Sequence, residues 1–289
     1  MARVIFHNVL GLVLALTLMS CVAVEGVAAP RARLVSPHWL ANDPASSEHV
    51  DHGAWDRFLG QYLTRGGDGV NRIAYARALP QGRDLLEHYI AALEAVPVSR
   101  LARAEQRAYW INLYNAETTE IVLAHYPVAS IRDISLGPGL FDVGPWAAKL
   151  LHVEGEALSL DDIEHGILRP IWRDARLHYA LNCAALSCPS LMPEAFTTGN
   201  SEALLDAGAR GYVNNPRGVL IVDNRLTLSS IYLWYREDFG DDTTGVLAHL
   251  KHYAAPDLVA RLASFSAPAG YAYDWRLIDA RRYQRHPRG

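Results

Sequence analysis

The sequence predicts an α+β fold: one helix-rich domain with a small, largely antiparallel sheet. Two observations predict this class. Apolar residues recur at helical spacing in the first half of the chain, whereas short apolar runs separated by turn residues appear later. No stretch between residues 50 and 280 has the composition of a linker. We therefore expect a single domain over residues 50–283.

Helical spacing defines four segments. A first amphipathic helix is predicted where five apolar residues share one face: Val50, Trp55, Phe58, Leu59 and Tyr62. A second helix is predicted over residues 82–95, and a third from about Arg103 to Tyr126, where Pro127 ends it. A late helix is predicted near residues 244–264.

Strand signals cluster in the second half. Two short apolar runs around Gly155 predict a β-hairpin, and GVLIVDNRLTL predicts another with Asp223 and Asn224 as its turn. The segment ARLHYALN has the character of a buried strand that ends at Asn182. Between these features, Ser159 precedes an acidic first turn and is expected to cap a helix.

The N-terminus has the pattern of an export signal. One arginine precedes the apolar run VLGLVLALTLMSCVAV, which is short for a membrane span. Residues 1–29 would be a signal peptide if cleavage follows Val27-Ala28-Ala29. The alternative is the lipobox-like LMSC, which would remove residues 1–20 and make Cys21 a lipid anchor. In both cases the expected location is the periplasm, free or membrane-anchored, with residues 30–49 as a tether.

Composition and charge exclude several classes. The chain has 289 residues, a formal charge of −4 and a pI near 6.3, which gives no basic footprint for nucleic acid. Its 12 histidines are scattered without metal-ligand spacing, so neither a metal nor another cofactor is expected. The expected partner is a peptide or another component of the cell envelope, and membrane contact is expected only through the lipid anchor. The oligomeric state stays open.

Five blocks of sequence together resemble one family, the domain of unknown function 547 (DUF547), as an exported bacterial member. The blocks are AYWINLYNA at 108–116, LSLDDIEHGILRP at 158–170, RLHYALNCAALSCPSL at 176–191, SSIYLWYREDF at 229–239 and YDWRLID at 273–279. They follow the order seen in the family. The resemblance implies that Cys183 is the more regular of the two cysteines in the third block. The last block departs from the family pattern at Ile278 and Asp279.

Cys183 is the candidate nucleophile. It follows the predicted strand, and AALSC could begin a helical turn whose amide groups and dipole would stabilise a thiolate. His165, on a separate predicted helix, is the preferred base. Strand alternation directs His178 to the other face from Cys183, unless the chain turns at Asn182. Glu164 is also a candidate site residue. Adjacent side chains on a helix point in different directions, so Glu164 is poorly placed to orient the His165 ring by a hydrogen bond.

The other polar residues leave alternatives open. Asn112 and Asn115 are weak helix formers in mid-helix; they either bond a neighbouring loop or line the cleft together with Asn182. Cys188 either stays a free thiol near the site or pairs with Cys183, since export permits a disulfide. A zinc site of Cys183, Cys188 and His178 would lack a fourth ligand.

These residues permit thiol chemistry at a carbonyl carbon. The same residue types act in papain and in transglutaminases, and we expect the fold to resemble theirs. By this analogy, the chain is predicted to be a hydrolase or acyltransferase that acts on amide or ester bonds through Cys183. The alternative is a non-catalytic module of the cell envelope, binding or structural, with a Cys183–Cys188 disulfide.

Overall fold

The computed structural model describes residues 30–79, 81–137 and 143–283, with side chains up to Arg281. The predicted signal peptide and Cys21 lie outside these ranges. Within them, none of the helices combines the length and the apolar composition needed to cross a bilayer.

Helices are the dominant secondary structure of the described residues, and the predicted α+β class is confirmed. The helices are α1 (Gly53–Tyr62), α2 (Tyr75–Ala78), α3 (Gln81–Glu94), α4 (Arg103–Ala124), the π-helix (Asp162–Leu168), α5 (Arg169–Trp172), α6 (Leu177–Ala180), α7 (Ser201–Val213), α8 (Ile231–Trp234), α9 (Thr243–Tyr253), α10 (Pro256–Leu262) and α11 (Ala280–Tyr283). Short 3₁₀ turns span Pro37–Leu40, Val98–Arg100, Ile131–Asp133 and Arg236–Phe239.

Helices α1, α3 and α4 lie where apolar spacing predicts helices. Helix α4 is buried on nearly all sides, which is typical of the central helix of a domain. Its buried polar positions include Asn112 and Asn115. The predicted cap at Ser159 is also present, because its hydroxyl accepts a hydrogen bond from the Asp162 amide at 3.1 Å. The Asp162 carboxylate in turn accepts from the Ser159 amide at 2.7 Å.

The strands are short and lie in three small sheets instead of one. They are β1 (Leu63–Arg65), β2 (Asn71–Ile73), β3 (Leu151–Val153), β4 (Glu156–Leu158), β5 (Val219–Val222), β6 (Arg225–Ser229) and β7 (Gly270–Ala272). Pairs β1–β2 and β3–β4 are antiparallel, and the third sheet has the order β5–β6–β7 with β7 parallel to β6. Both predicted hairpin turns are confirmed: φ is 48° and 83° at Glu154 and Gly155, and 48° and 55° at Asp223 and Asn224.

The strand predicted for ARLHYALN is wrong. Residues 177–180 form helix α6 instead. Asp174 begins this turn: its carboxylate accepts from the Arg176 amide at 2.9 Å, and its carbonyl accepts from Leu177 at 3.0 Å. Leu, His, Tyr and Ala include no β-branched residue, so the segment has no strong preference for a strand. The argument from alternation about His178 therefore does not apply.

Two further expectations need correction. The late helix is divided into α9 and α10 before Pro256, which cannot continue the first helix. Residues 30–49, predicted to be a tether, also contribute to the core. Trp39 is buried in the main core, edge-on to Trp110 at 5.1 Å between ring centroids.

Two apolar clusters meet at the middle of the molecule. The larger surrounds α4 and includes Ile163 and Ile167 of the π-helix. The smaller packs α7, α9 and α10 against the β5–β6 hairpin and includes Tyr179 of α6. The π-helix and α6 thus lie where the clusters adjoin, and the polar residues of interest project from these two elements.

Candidate functional site

Cys183 lies in a loop that the C-terminal segment holds in place. Its successor Ala184 has a φ of 60°, so the helical turn expected after Cys183 does not form. Instead, Ala185 forms a bridge with Leu277. The amide of Leu186 donates to the carbonyl of Arg276 at 2.7 Å. The expected stabilisation of Cys183 by a helix dipole is therefore absent.

The asparagines behind this loop hold its backbone. Asn115 accepts from the Asn182 amide and donates to the Ala180 carbonyl, both at 2.8 Å. Asn182 in turn accepts from the Ala184 amide at 2.9 Å and donates to the Pro189 carbonyl at 2.6 Å.

Asn112 pairs in the same way with both backbone groups of Phe196, at 2.7 and 3.0 Å. Its side chain is fully buried. The three asparagines thus support the loop rather than line the cleft, and none of them contacts His165.

A cavity of about 340 Å³ opens beside Cys183. Its polar lining includes Glu164, His165, His178, Cys183 and Cys188. The sequence blocks at 158–170 and 176–191 thus meet at this cavity. The aromatic part of the lining consists of Tyr114, Trp146, Trp234, Tyr235, Tyr273 and Trp275.

Three donors surround the sulfur of Cys183. Its Sγ lies 3.1 Å from the Tyr273 hydroxyl, and hydrogen bonds from Cys188 and from the Ala185 amide also act on it. Burial by itself would raise the pKa of Cys183, but these hydrogen bonds outweigh burial and place the pKa below that of an ordinary thiol. The same burial, together with the neighbouring Cys183, raises the pKa of Cys188 well above the ordinary range. Cys183 is therefore the reactive sulfur of the two.

His178 is held between two carboxylates. Its Nε2 lies 2.6 Å from Asp238 Oδ2, its Nδ1 lies 3.6 Å from Glu164 Oε1, and its ring stacks on Tyr235 at 4.4 Å. Burial opposes the charged ring, but the hydrogen bonds and charges of both carboxylates prevail and raise the pKa of His178. Both ring nitrogens of His178 thus face carboxylates, which favour its protonated form.

His165 has the opposite character. Its Nδ1 lies 3.0 Å from Arg169 Nη1; a guanidinium only donates, so Nδ1 accepts and the ring proton is on Nε2. Burial lowers the pKa of His165 to about 4, and the attraction of Glu164 does not offset this. His165 is therefore neutral near pH 7, with its free N–H on the side of Asp161, 3.7 Å away.

Buried carboxylates complete the network. Burial alone would raise the pKa of Glu164, but His165, His178 and Arg169 lower it to about 2. Glu164 Oε2 also accepts from the Tyr114 hydroxyl at 3.1 Å. Asp238 behaves alike: its pKa falls to about 2 despite burial, through His178 and Arg169. Arg169 donates to Asp238 at 2.6 Å and to Glu237 at 3.0 Å.

The hydrogen bonds of the described residues do not join either imidazole to the Cys183 sulfur. The nearest side-chain hydroxyl is that of Tyr273, which the sequence reasoning did not select. Asp238 and Tyr235 were also missed. All three lie in the sequence blocks at 229–239 and 273–279, so the clustering of aromatic and acidic residues in those blocks was the available signal.

No group of three or more histidine, cysteine or acidic side chains suited to a metal ion occurs in residues 30–79, 81–137 and 143–283. The cavity brings a thiol of lowered pKa close to one imidazole of raised pKa and one of lowered pKa, against an aromatic wall.

Comparison with known proteins gives one match. A family model described as "Protein of unknown function, DUF547" matches residues 98–213. No match is found among the curated proteins or among the solved structures. The matched segment contains Glu164, His165, His178, Cys183 and Cys188, whereas Asp238 and Tyr273 lie beyond its end. The polar centre of the cavity is thus largely built from the segment that matches this family model.

Proposed function

We propose that Cys183 is the nucleophile of a thiol-dependent hydrolase or acyltransferase that acts on amide or ester bonds. The observation that carries this proposal is the position of its sulfur at the wall of the cavity, in contact with the Tyr273 hydroxyl. A thiolate is the reactive form of cysteine, and three hydrogen-bond donors favour it here. Because these donors favour the thiolate beforehand, the attack does not depend on a base touching Cys183.

The proposed reaction has two steps. The Cys183 thiolate attacks the carbonyl carbon, and a C–S bond forms as the bond to the leaving amine or alcohol breaks. The leaving group takes a proton from the Tyr273 hydroxyl. Water or an amine then attacks the thioester, returns a proton to the Tyr273 oxygen and releases Cys183 as a thiolate. The Nε2–H of His165, which lines the cavity, is the donor for the oxyanion in each step. Both N–H groups of His178 are engaged by carboxylates instead.

The test uses p-nitrophenyl acetate, an activated ester that does not depend on knowledge of the natural substrate. We expect a burst of p-nitrophenol and an acetyl group on the tryptic peptide 177–210, which contains both Cys183 and Cys188. Cys183→Ala should abolish both signals, and the matched variant Cys188→Ala should retain acylation. Acetylation at other residues only, with none at Cys183, would refute the proposal.

A second candidate is a non-catalytic module of the cell envelope. One observation favours it: most polar atoms around His178 and Arg169 already have partners within the protein. Such a network stabilises a fold without any reaction. Under this alternative the reduced protein is inert toward the ester, and Cys183 and Cys188 are paired in the protein as isolated.

We also propose that the protein is exported. The support is the apolar run that precedes residue 30 and the lipobox-like LMSC. Free periplasmic protein and lipoprotein are the two possible forms, and the test is described in the Discussion.

A further inference from the structure

Cys183 and Cys188 are neighbours in space as well as in sequence. The backbone N–H of Cys183 donates to Cys188 Sγ at 2.8 Å, so the sulfur of Cys188 adjoins the base of the Cys183 side chain. A turn closed by the hydrogen bond from the Cys188 amide to the Ala185 carbonyl, 3.0 Å long, holds the loop in this shape. A bond between the two sulfurs therefore requires side-chain rotation, with little movement of the backbone.

The two sulfurs differ in access. Cys183 is partly exposed at the cavity, where a small solute can reach it. Cys188 is buried, with only 3% of its surface exposed. An oxidant in solution can therefore reach the Cys183 sulfur first, whereas the Cys188 sulfur can react only with Cys183. The lower pKa of Cys183 and the higher pKa of Cys188 agree with that order.

We propose that this pair is a redox modification site: hydrogen peroxide oxidises Cys183, and Cys188 converts the product to an intramolecular disulfide. The Cys183 thiolate attacks one oxygen of the peroxide; an S–O bond forms, the O–O bond breaks, and hydroxide leaves to take a proton from solvent. Cys183 is then a sulfenic acid. The Cys188 sulfur attacks the Cys183 sulfur, an S–S bond forms, and water leaves with the Cys188 proton. Two thiols and one peroxide thus give one disulfide and two waters.

The disulfide would inactivate the proposed nucleophile. A sulfur engaged in an S–S bond cannot attack a carbonyl, so oxidation should stop acyl transfer and a thiol reductant should restore it. This regulatory consequence rests on the proposed function, whereas the oxidation chemistry itself does not. Resolution by Cys188 also protects Cys183 from irreversible oxidation to the sulfinic or sulfonic acid.

The test exposes the full chain to hydrogen peroxide, blocks free thiols with iodoacetamide after unfolding, and measures the mass of peptide 177–210. Because both cysteines lie on this one peptide, Cys21 does not interfere. We expect a mass about 2 Da below that of the reduced peptide, with no alkylation, and return to two alkylated cysteines after dithiothreitol. Cys188→Ser should stop at a sulfenic acid that dimedone traps. Cys183→Ser should leave Cys188 unoxidised.

One result would overturn the inference: a wild-type peptide in which Cys183 carries two or three oxygens while Cys188 is still alkylated. Acylation by p-nitrophenyl acetate, measured before oxidation, after it and after reduction, separates the two proposals. Loss on oxidation and recovery on reduction support the regulation. A reduced protein that is never acylated refutes the proposed function, and the peptide mass still decides whether the disulfide forms.

Discussion

The Tyr273 hydroxyl links Cys183 to the aromatic wall of the cavity. Tyr273 packs against Trp275 at 4.6 Å and Trp234 at 4.8 Å, so its ring is held on two sides. Burial raises the pKa of Tyr273 well above the usual range, and the neighbouring Cys183 adds to this. The hydroxyl therefore stays protonated and can donate to a thiolate throughout the neutral range.

Tyr273→Phe should raise the pKa of Cys183. A hydrogen bond to a charged group contributes roughly 1.5–3 kcal/mol. At about 1.4 kcal/mol per pKa unit, its loss should move the pH midpoint of alkylation by iodoacetamide upward by about one to two units. Tyr235→Phe is the matched control, because Tyr235 lines the same cavity and stacks on His178 without bonding Cys183. Equal midpoints in wild type and Tyr273→Phe would show that this hydroxyl does not stabilise the thiolate.

The π-helix and the N-terminal segment Pro30–Val35 form one unit at the scale of elements. The amides of Arg33 and Val35 donate to the carbonyls of His165 and Gly166, each at 3.0 Å. Arg169 donates to the Pro30 carbonyl at 2.7 Å, and Pro30 itself lines the cavity. The segment predicted as a tether thus forms part of the cavity wall, and it is hydrogen-bonded to the π-helix that contains His165.

Gly166 allows this close approach. A Cβ added there would lie 2.8 Å from the Cβ of Val35, whereas a Cβ at Gly60 in α1 would meet nothing within 4 Å. Gly60→Ala should therefore raise the free energy of unfolding by about 1 kcal/mol through helix propensity. Gly166→Ala should lower it by about 1–3 kcal/mol through overpacking.

Urea denaturation measures both changes, and Val35→Gly in the Gly166→Ala background should recover part of the loss. A gain in stability from Gly166→Ala similar to that from Gly60→Ala would contradict contact between the segment and the π-helix.

At the scale of the whole molecule, buried titratable groups predict how stability depends on pH. Burial lowers the pKa of His165 and of His249 to about 4. Below pH 6.5 the unfolded chain gains these protons before the folded chain does, so the free energy of unfolding should fall between pH 6.5 and 4. Glu164 and Asp238, with pKa values near 2, should extend the loss as the pH falls further.

His178 acts in the other direction. Its pKa is raised in the folded state, so its stabilisation is complete below pH 6.5 and is lost as the pH rises through the folded pKa. Stability should therefore be greatest near pH 6.5. Urea titrations between pH 4 and 9 measure this profile.

His249→Gln should flatten the acid side of the profile by about 2 kcal/mol, because it removes one of the histidine rings whose pKa burial lowers. The hydrogen bond of His249 Nε2 to the Tyr179 hydroxyl, 2.8 Å long, is one that glutamine can replace. An acid slope unchanged by this substitution would exclude His249 as its source.

Export is also a prediction about the whole molecule. If the lipobox is used, Cys21→Ala should move the protein from the membrane fraction to the soluble periplasmic fraction. The protein should stay folded, because the substitution changes none of the contacts among residues 30–283. Immunoblots of fractionated cells and N-terminal sequencing of the mature chain measure both outcomes. A mature N-terminus at Pro30 would exclude the lipid anchor.

Much of this protein could be predicted from local pattern. Apolar spacing located α1, α3 and α4, and paired turn residues located the hairpins at Gly155 and at Asp223-Asn224. These features depend on contacts within a few residues, which the order of amino acids states directly. The sequence also selected Glu164, His165, His178 and Cys183, which line one cavity.

The tertiary structure decided the local geometry, the protonation and the hydrogen-bond partners of those residues. Helix α6 replaced a predicted strand because Asp174 and the surrounding helices set its geometry, which local propensity cannot state. Asp238, some 60 residues beyond His178, raises the pKa of that ring, and Arg169 fixes the tautomer of His165. Tyr273, 90 residues beyond Cys183, becomes the partner of its sulfur. Charge state and hydrogen-bond partners depend on distances in the folded chain. The amino-acid sequence by itself therefore determined which residue types are present at the site, and only the tertiary structure determined their protonation.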